Sequence, residues 1–258
     1  MERIFKIGVF DSGIGGVTVL KEIIKILPNL NYYYYSDSIN NPYGEKTDKE
    51  VIDIANNITK NLIDNGAQAI VIACNTASAK AASFLREKYN NIPIIAIEPA
   101  YKMVYDYAYD DITLVMATKG TIESEKFNLL YQKYNNNKTI LLPCSGLADI
   151  IEEGNHEKIQ KYLKQNLQEY TGKVKNVVLG CTHYPLIKDD IKKILGNVKF
   201  FDGAERVAKH LKEILEKNGN CLNGNGVIEF YDSQELESKK DRFFKILKKP
   251  LIRSAIFA

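Results

Sequence analysis

Two cysteines stand in matching contexts. Cys74 closes the apolar run Ala69 to Ala73 and is followed by Asn75-Thr76; Cys181 follows Asn176 to Gly180 and is followed by Thr182-His183. A thiol titrates near roughly 8.5, and the backbone N–H groups at the start of a helix favour its ionised form. Two thiols facing one carbon suit the inversion of that centre. One removes a proton from one face while the other delivers a proton to the opposite face, and the roles exchange when the reaction runs backward. A single free cysteine is more often a small buried hydrophobe. Two at equivalent strand ends, each with polar residues behind it, favour function. Cys144 and Cys221 lack that context and read as structural.

The other chemical feature is Asp11-Ser12-Gly13-Ile14-Gly15-Gly16, directly after the apolar run Phe5 to Phe10. It is not GxGxxG, and no Walker signature occurs in the chain. It reads as a turn whose glycines let backbone amides approach a small anion, with Asp11 beside it. His183, separated from Cys181 by one residue, can orient or assist that thiol. The same pair leaves open a thiol hydrolase, with Cys181 as nucleophile and His183 as base. His156 and His210 lie in exposed helical patterns and read as surface residues.

The elements that must position these residues alternate. Strand-like segments at 5–10, 32–35, 69–73, 94–97, 113–116, 139–142, 176–179 and 199–201 are separated by helix-periodic ones. The first helix carries Val17, Leu20, Ile23, Ile24 and Leu27; Thr47 with Glu50 forms a capping-box pattern before the next. Further helices are predicted over 77–89, from Thr121 to about Tyr134, over 155–170, over 204–217 and near 234–247. Such alternation argues an α/β fold with mostly parallel sheets, in which ligands sit beyond the carboxyl ends of strands. Asp11 and Cys74 are 63 positions apart (74 − 11), as are Thr118 and Cys181 (181 − 118), and the two sets are offset by 107. The pattern implies a duplication: two pseudo-symmetric α/β domains with the active site in the cleft between them. Residues 1–98 with 207–258 form the first and 99–206, an insert, the second.

Composition limits the partners. The 258 residues carry a net charge of +3, too close to neutral to leave a basic footprint for nucleic acid or an anionic membrane. No apolar run has the length of a membrane span, and Met1-Glu2-Arg3-Ile4 runs into a strand rather than a signal peptide. Four scattered cysteines make no disulfide framework and no CxxC metal site, so a cytoplasmic protein without bound metal is expected.

These motifs together resemble glutamate racemase, of the aspartate/glutamate racemase superfamily. The matching stretches are DSGIGG at 11–16, NPYGEKT at 41–47, ACNTAS at 73–78, IEP at 97–99, ATKGTIES at 117–124, IIEEG at 150–154 and GCTHYP at 180–185. The resemblance implies a cofactor-independent two-base racemisation of glutamate that supplies D-glutamate for peptidoglycan. It implies that Cys74 and Cys181 exchange the proton, Asp11 assisting the first and His183 the second, with Glu152 near His183. It assigns Asp11, Ser12, Tyr43, Gly44, Asn75, Thr76, Thr118, Thr121, Thr182 and His183 to the substrate, and it implies a homodimer. Racemisation of aspartate or of a hydantoin is the alternative on the same fold. The stretch PCSGLAD at 143–149 and the loop SDSINN at 36–41 depart from the family's usual forms.

Overall fold

A computed structural model describes residues 4–108, 110–220 and 222–248; Cys221 and the last ten residues lie outside them. The first half runs β1 (Lys6–Asp11), α1 (Val17–Ile26), β2 (Asn31–Ser36), α2 (Asp48–Asp64), β3 (Ala69–Ile72), α3 (Asn75–Lys88) and β4 (Ile94–Ala96). Then come α4 (Tyr101–Tyr107), β5 (Thr113–Ala117), α5 (Lys119–Ile122), α6 (Glu125–Tyr134) and β6 (Thr139–Pro143). They are followed by α7 (Leu147–Glu153), α8 (His156–Leu167), β7 (Asn176–Gly180), α9 (Lys188–Leu195) and β8 (Lys199–Phe201). The chain closes with α10 (Ala204–Lys217), β9 (Ile228–Asp232) and α11 (Glu237–Lys248).

Every strand pairing is parallel, in two sheets ordered β4-β3-β1-β2-β9 and β6-β5-β7-β8. The second, read backward, is β8-β7-β5-β6. That is the order β4-β3-β1-β2 shifted by four strands, as the 107-residue offset anticipates. The central strands β1, β3, β5 and β7 are almost wholly buried, which their apolar sequences require of strands covered on both faces. The tail returns to the first sheet: β9 pairs with β2, and Val207, Leu211, Leu215 and Phe243 from α10 and α11 complete its core.

Local chemistry explains where helices start. Thr47 and Glu50 form the anticipated capping box at α2. The predicted helix from Thr121 to Tyr134 is two helices, because Ser124 accepts from Phe127 N and caps a fresh start at Glu125. A larger difference follows Cys181: Tyr184–Ile187 is a single 3₁₀ turn containing Pro185, and α9 begins only at Lys188. The helix-terminus environment expected for both thiols therefore exists at Cys74 alone.

Candidate active site

Cys74 is itself the N-cap of α3: its sulfur accepts from Ala77 N at 3.5 Å, and its thiol lies 3.8 Å from Ser12 Oγ. Burial pushes this thiol well above its ordinary value, and the neighbouring Asp11 carboxylate adds to the shift. Cys181 follows β7, and His183 Nδ1 lies 3.7 Å from its sulfur. The other ring nitrogen, Nε2, is 2.6 Å from Glu152 Oε2. Burial works against a charged imidazole. Cys181 and Glu152 outweigh it and hold His183 well above the usual histidine range. Burial likewise works to raise the Glu152 carboxyl, but His183, Lys239 and the Ile14 amide outweigh it and keep the carboxyl below its ordinary value. Glu153, next along α7, faces away and pairs with Lys158.

Both cysteines open on one cavity. Ser12, Tyr43, Gly44, Asn75, Thr76, Thr118, Thr182 and His183 also line it. Hydroxyls join across the cleft: Thr76 Oγ1 is 2.9 Å from Thr118 Oγ1 and 3.3 Å from Thr121 Oγ1. The Asn75 side chain is buried, and among the described residues neither its oxygen nor its nitrogen has a hydrogen-bond partner. A buried amide left open in this way is costly unless something else satisfies it.

Three of the anticipated site residues do not line the cavity. Thr121 lies behind Thr118, and Glu152 lies behind His183. Asp11, fully buried, accepts from Gly16 N at 2.5 Å and from Thr182 Oγ1 at 3.0 Å, so it braces the glycine turn against the Cys181 loop. Burial pushes its carboxyl above the usual range, against the pull of His183 and of these donors. The turn is also not an open anion seat. The Ile14 amide meets the Glu152 oxygens at 3.2 and 3.3 Å, so the anion it takes is the protein's own. The glycines serve that closeness: a Cβ on Gly15 would sit 2.5 Å from His183 Nδ1.

Cys144, expected to be structural, lines the same cavity just beyond the end of β6, and burial pushes its thiol up to about 12. Asn41 and Asp149, which no motif singles out for a role, also line it and are joined at 2.5 Å. The strand-end rule reaches Cys144; nothing local reaches the Asn41–Asp149 bridge, because its partners are 108 positions apart.

Residues 28–211 match the family model described as Asp/Glu/Hydantoin racemase. The chain belongs to that family. Among the racemases it resembles is the glutamate racemase of Clostridium perfringens (strain SM101 / Type A), 44% identical over 236 residues, covering 89% of this chain and 91% of that one. The glutamate racemase of Francisella tularensis, solved in complex with D-glutamate, superposes with a TM-score of 0.80 at 32% identity, covering 98% of this chain and 99% of that one. A glutamate racemase isoform from Bacillus anthracis gives 0.81 at 31% identity, covering 96% and 95%. The family's two-domain α/β fold is the one described above, and no helix among the described residues is long and apolar enough to cross a membrane.

Proposed function

We propose that this protein interconverts L- and D-glutamate by a two-base mechanism, with Cys74 and Cys181 as the proton carriers, supplying D-glutamate to peptidoglycan. One observation carries the reading: two thiols from the two halves of a duplicated fold open on a single small cavity. Relatives named glutamate racemase along nearly the whole chain support glutamate as the substrate.

Glutamate enters with its α-carboxylate toward the hydroxyls of Ser12, Thr76, Thr118 and Thr182 and the amide of Asn75. These donors spread the charge that develops when Cα loses its proton, and they are already held in place before it does. The two sulfurs have different neighbours. Cys74 is a thiol, kept protonated by burial and Asp11. Cys181 faces the His183 imidazolium, the counter-charge for a thiolate. For one enantiomer Cys181 acts as the base and takes the Cα proton, and the Cys74 thiol gives its own to the opposite face; for the other enantiomer the roles exchange. The product leaves with inverted configuration and the enzyme with its two sulfur states exchanged. Asp11, one residue from the Ser12 hydroxyl, then faces a Cys74 thiolate and favours its reprotonation; this makes it a helper of the Cys74 side rather than a substrate ligand. The resemblance extends to a cytoplasmic homodimer, which sedimentation at enzyme-assay concentration would check.

The test is solvent exchange. In deuterated water, either enantiomer of glutamate should gain deuterium at Cα as optical rotation decays to zero. A parallel set with aspartate and a hydantoin should stay unlabelled. No label in glutamate would end the proposal, and label in aspartate alone would move it to that substrate.

A further inference from the structure

Helix α11 belongs by packing to the first half. Phe243 is fully buried in that core, with ring centroids 4.7 Å from Tyr34 and 4.5 Å from Phe230, and Lys21 Nζ on α1 donates to Ile246 O at 2.9 Å. Its other face meets the second half. The Arg242 guanidinium donates to the main-chain carbonyls of Ile151 and Glu152, in the last turn of α7, where a helix leaves its carbonyls without internal partners. Lys239 Nζ lies 3.6 Å from Glu152 Oε1, with both side chains largely buried. One helix rooted in one half thus grips both the backbone and the carboxylate of a residue in the other.

The division of labour at Glu152 is informative. Oε2 is taken by His183 at 2.6 Å, Oε1 has Lys239, and the Ile14 amide is shared between the two oxygens. We propose that Lys239 and Arg242 are positioning residues for proton transfer at Cys181, holding the Glu152 carboxylate charged and aimed at His183. The inference rests on the two-thiol reading and deepens it. The charged and titratable groups that act on Glu152 are His183 beyond β7, Asp149 one turn earlier on α7, Tyr34 on β2, and Lys239 and Arg242 on α11. Among these described groups, Lys239 and Arg242 are the positive charges that do not themselves touch Cys181. Without Lys239, the carboxylate takes up a proton at higher pH, and His183 then loses its counter-charge.

The experiment compares wild type, Lys239→Met and Lys239→Arg by pH-resolved kcat/KM for glutamate, with thermal melts alongside. Lys239→Met is expected to move the acid limb upward by about one pH unit, and Lys239→Arg to restore it. Arg242→Gln is expected to lower kcat roughly tenfold with KM within about twofold. Should Lys239→Met fail to fold, Lys239→Gln takes its place, and nitrogen-15 shifts of His183 read the same pH displacement without turnover. An unmoved acid limb, or one that Lys239→Arg does not restore, overturns this proposal while leaving the racemase reading intact. A wild-type protein that exchanges no Cα hydrogen of glutamate overturns both.

Discussion

Gly15→Ala tests how tightly the glycine turn seats the histidine. A Cβ at this position would lie 2.5 Å from His183 Nδ1, 2.7 Å from Cε1 and 2.8 Å from Cγ. Ordinary carbon contacts begin near 3.4 Å, so the ring must retreat by about 0.9 Å. His183 is only 2% exposed, with Cys181 and Glu152 against its two nitrogens, so the space left to it is the cavity it lines, and moving there loosens both contacts. A retreat of that size lengthens the 2.6 Å contact with Glu152 by at most about 0.9 Å, which at that extreme reaches the limit of a hydrogen bond. A hydrogen bond to a charged group contributes about 1.5–3 kcal/mol. Its loss corresponds to a rate decrease of roughly 10- to 150-fold, the range expected of a catalytic group misplaced by about 1 Å. Overpacking should also cost about 1–3 kcal/mol of stability. Cα deuteration at saturating glutamate, beside a thermal melt, measures both. Gly13→Ala is the graded control: its Cβ meets the Glu152 oxygens at 2.9 and 3.1 Å, so the displacement and the loss should be smaller. A Gly15→Ala protein within twofold of wild type, with an unchanged melt, would refute the argument that the glycines seat this pair.

Cys74→Ala and Cys181→Ala should each lose interconversion in both directions, by a factor of about 10³ or more. Each should still eliminate the leaving group from a Cβ-substituted glutamate analogue of one enantiomer, the opposite one for the two variants, which chiral chromatography resolves. Asn75→Ala removes an amide that has no partner among the described residues; it should raise KM at least about tenfold while leaving the melt without substrate no lower than wild type, because an unmet buried polar group costs about 1–3 kcal/mol. The His183–Glu152 pair should show in stability against pH. The raised histidine contributes fully below its ordinary 6.5 and loses that contribution as pH rises through its folded value. The depressed glutamate contributes fully above its ordinary 4.5 and loses it as pH falls through its folded value. The stability gap between wild type and His183→Asn should therefore be flat from pH 4.5 to 6.5 and shrink on either side; a gap that widens above 6.5 contradicts the assignment.

What the sequence reveals here depends on whether a residue's role lies in its own chemistry or in what it touches. Cys74 and Cys181 are legible because a thiol at the end of an apolar strand is conspicuous, and because the 107-residue offset pairs them. The tail's return to the first sheet is legible from the repeat alone, since residues beyond the second copy must go somewhere. Asp11 and the glycines are visible as a motif, but their role is not. The turn reads as a seat for a ligand anion, whereas the anion is Glu152, 138 positions from the Ile14 amide that holds it. Helix α11, ESKKDRFFKILK, is legible only as a last helix near 234–247. Only its docking shows that Lys239 and Arg242 point at the other half.

The duplication explains the deepest of these gaps. Two copies of one unit predict two equal sulfur environments, and the strand orders bear that symmetry out. The proposed two-thiol chemistry needs it broken, since in that scheme a thiol and a thiolate must coexist before a proton can cross. In the first copy a full helix starts at Asn75 and Cys74 caps it, buried beside Asp11. In the second, Pro185 stands within a single 3₁₀ turn, and His183, backed by Glu152 and Lys239, supplies the positive charge that a helix end would have given. Under the two-thiol proposal, comparing single-turnover exchange of the two enantiomers measures how far this difference between the two sulfur environments separates the two directions of the reaction.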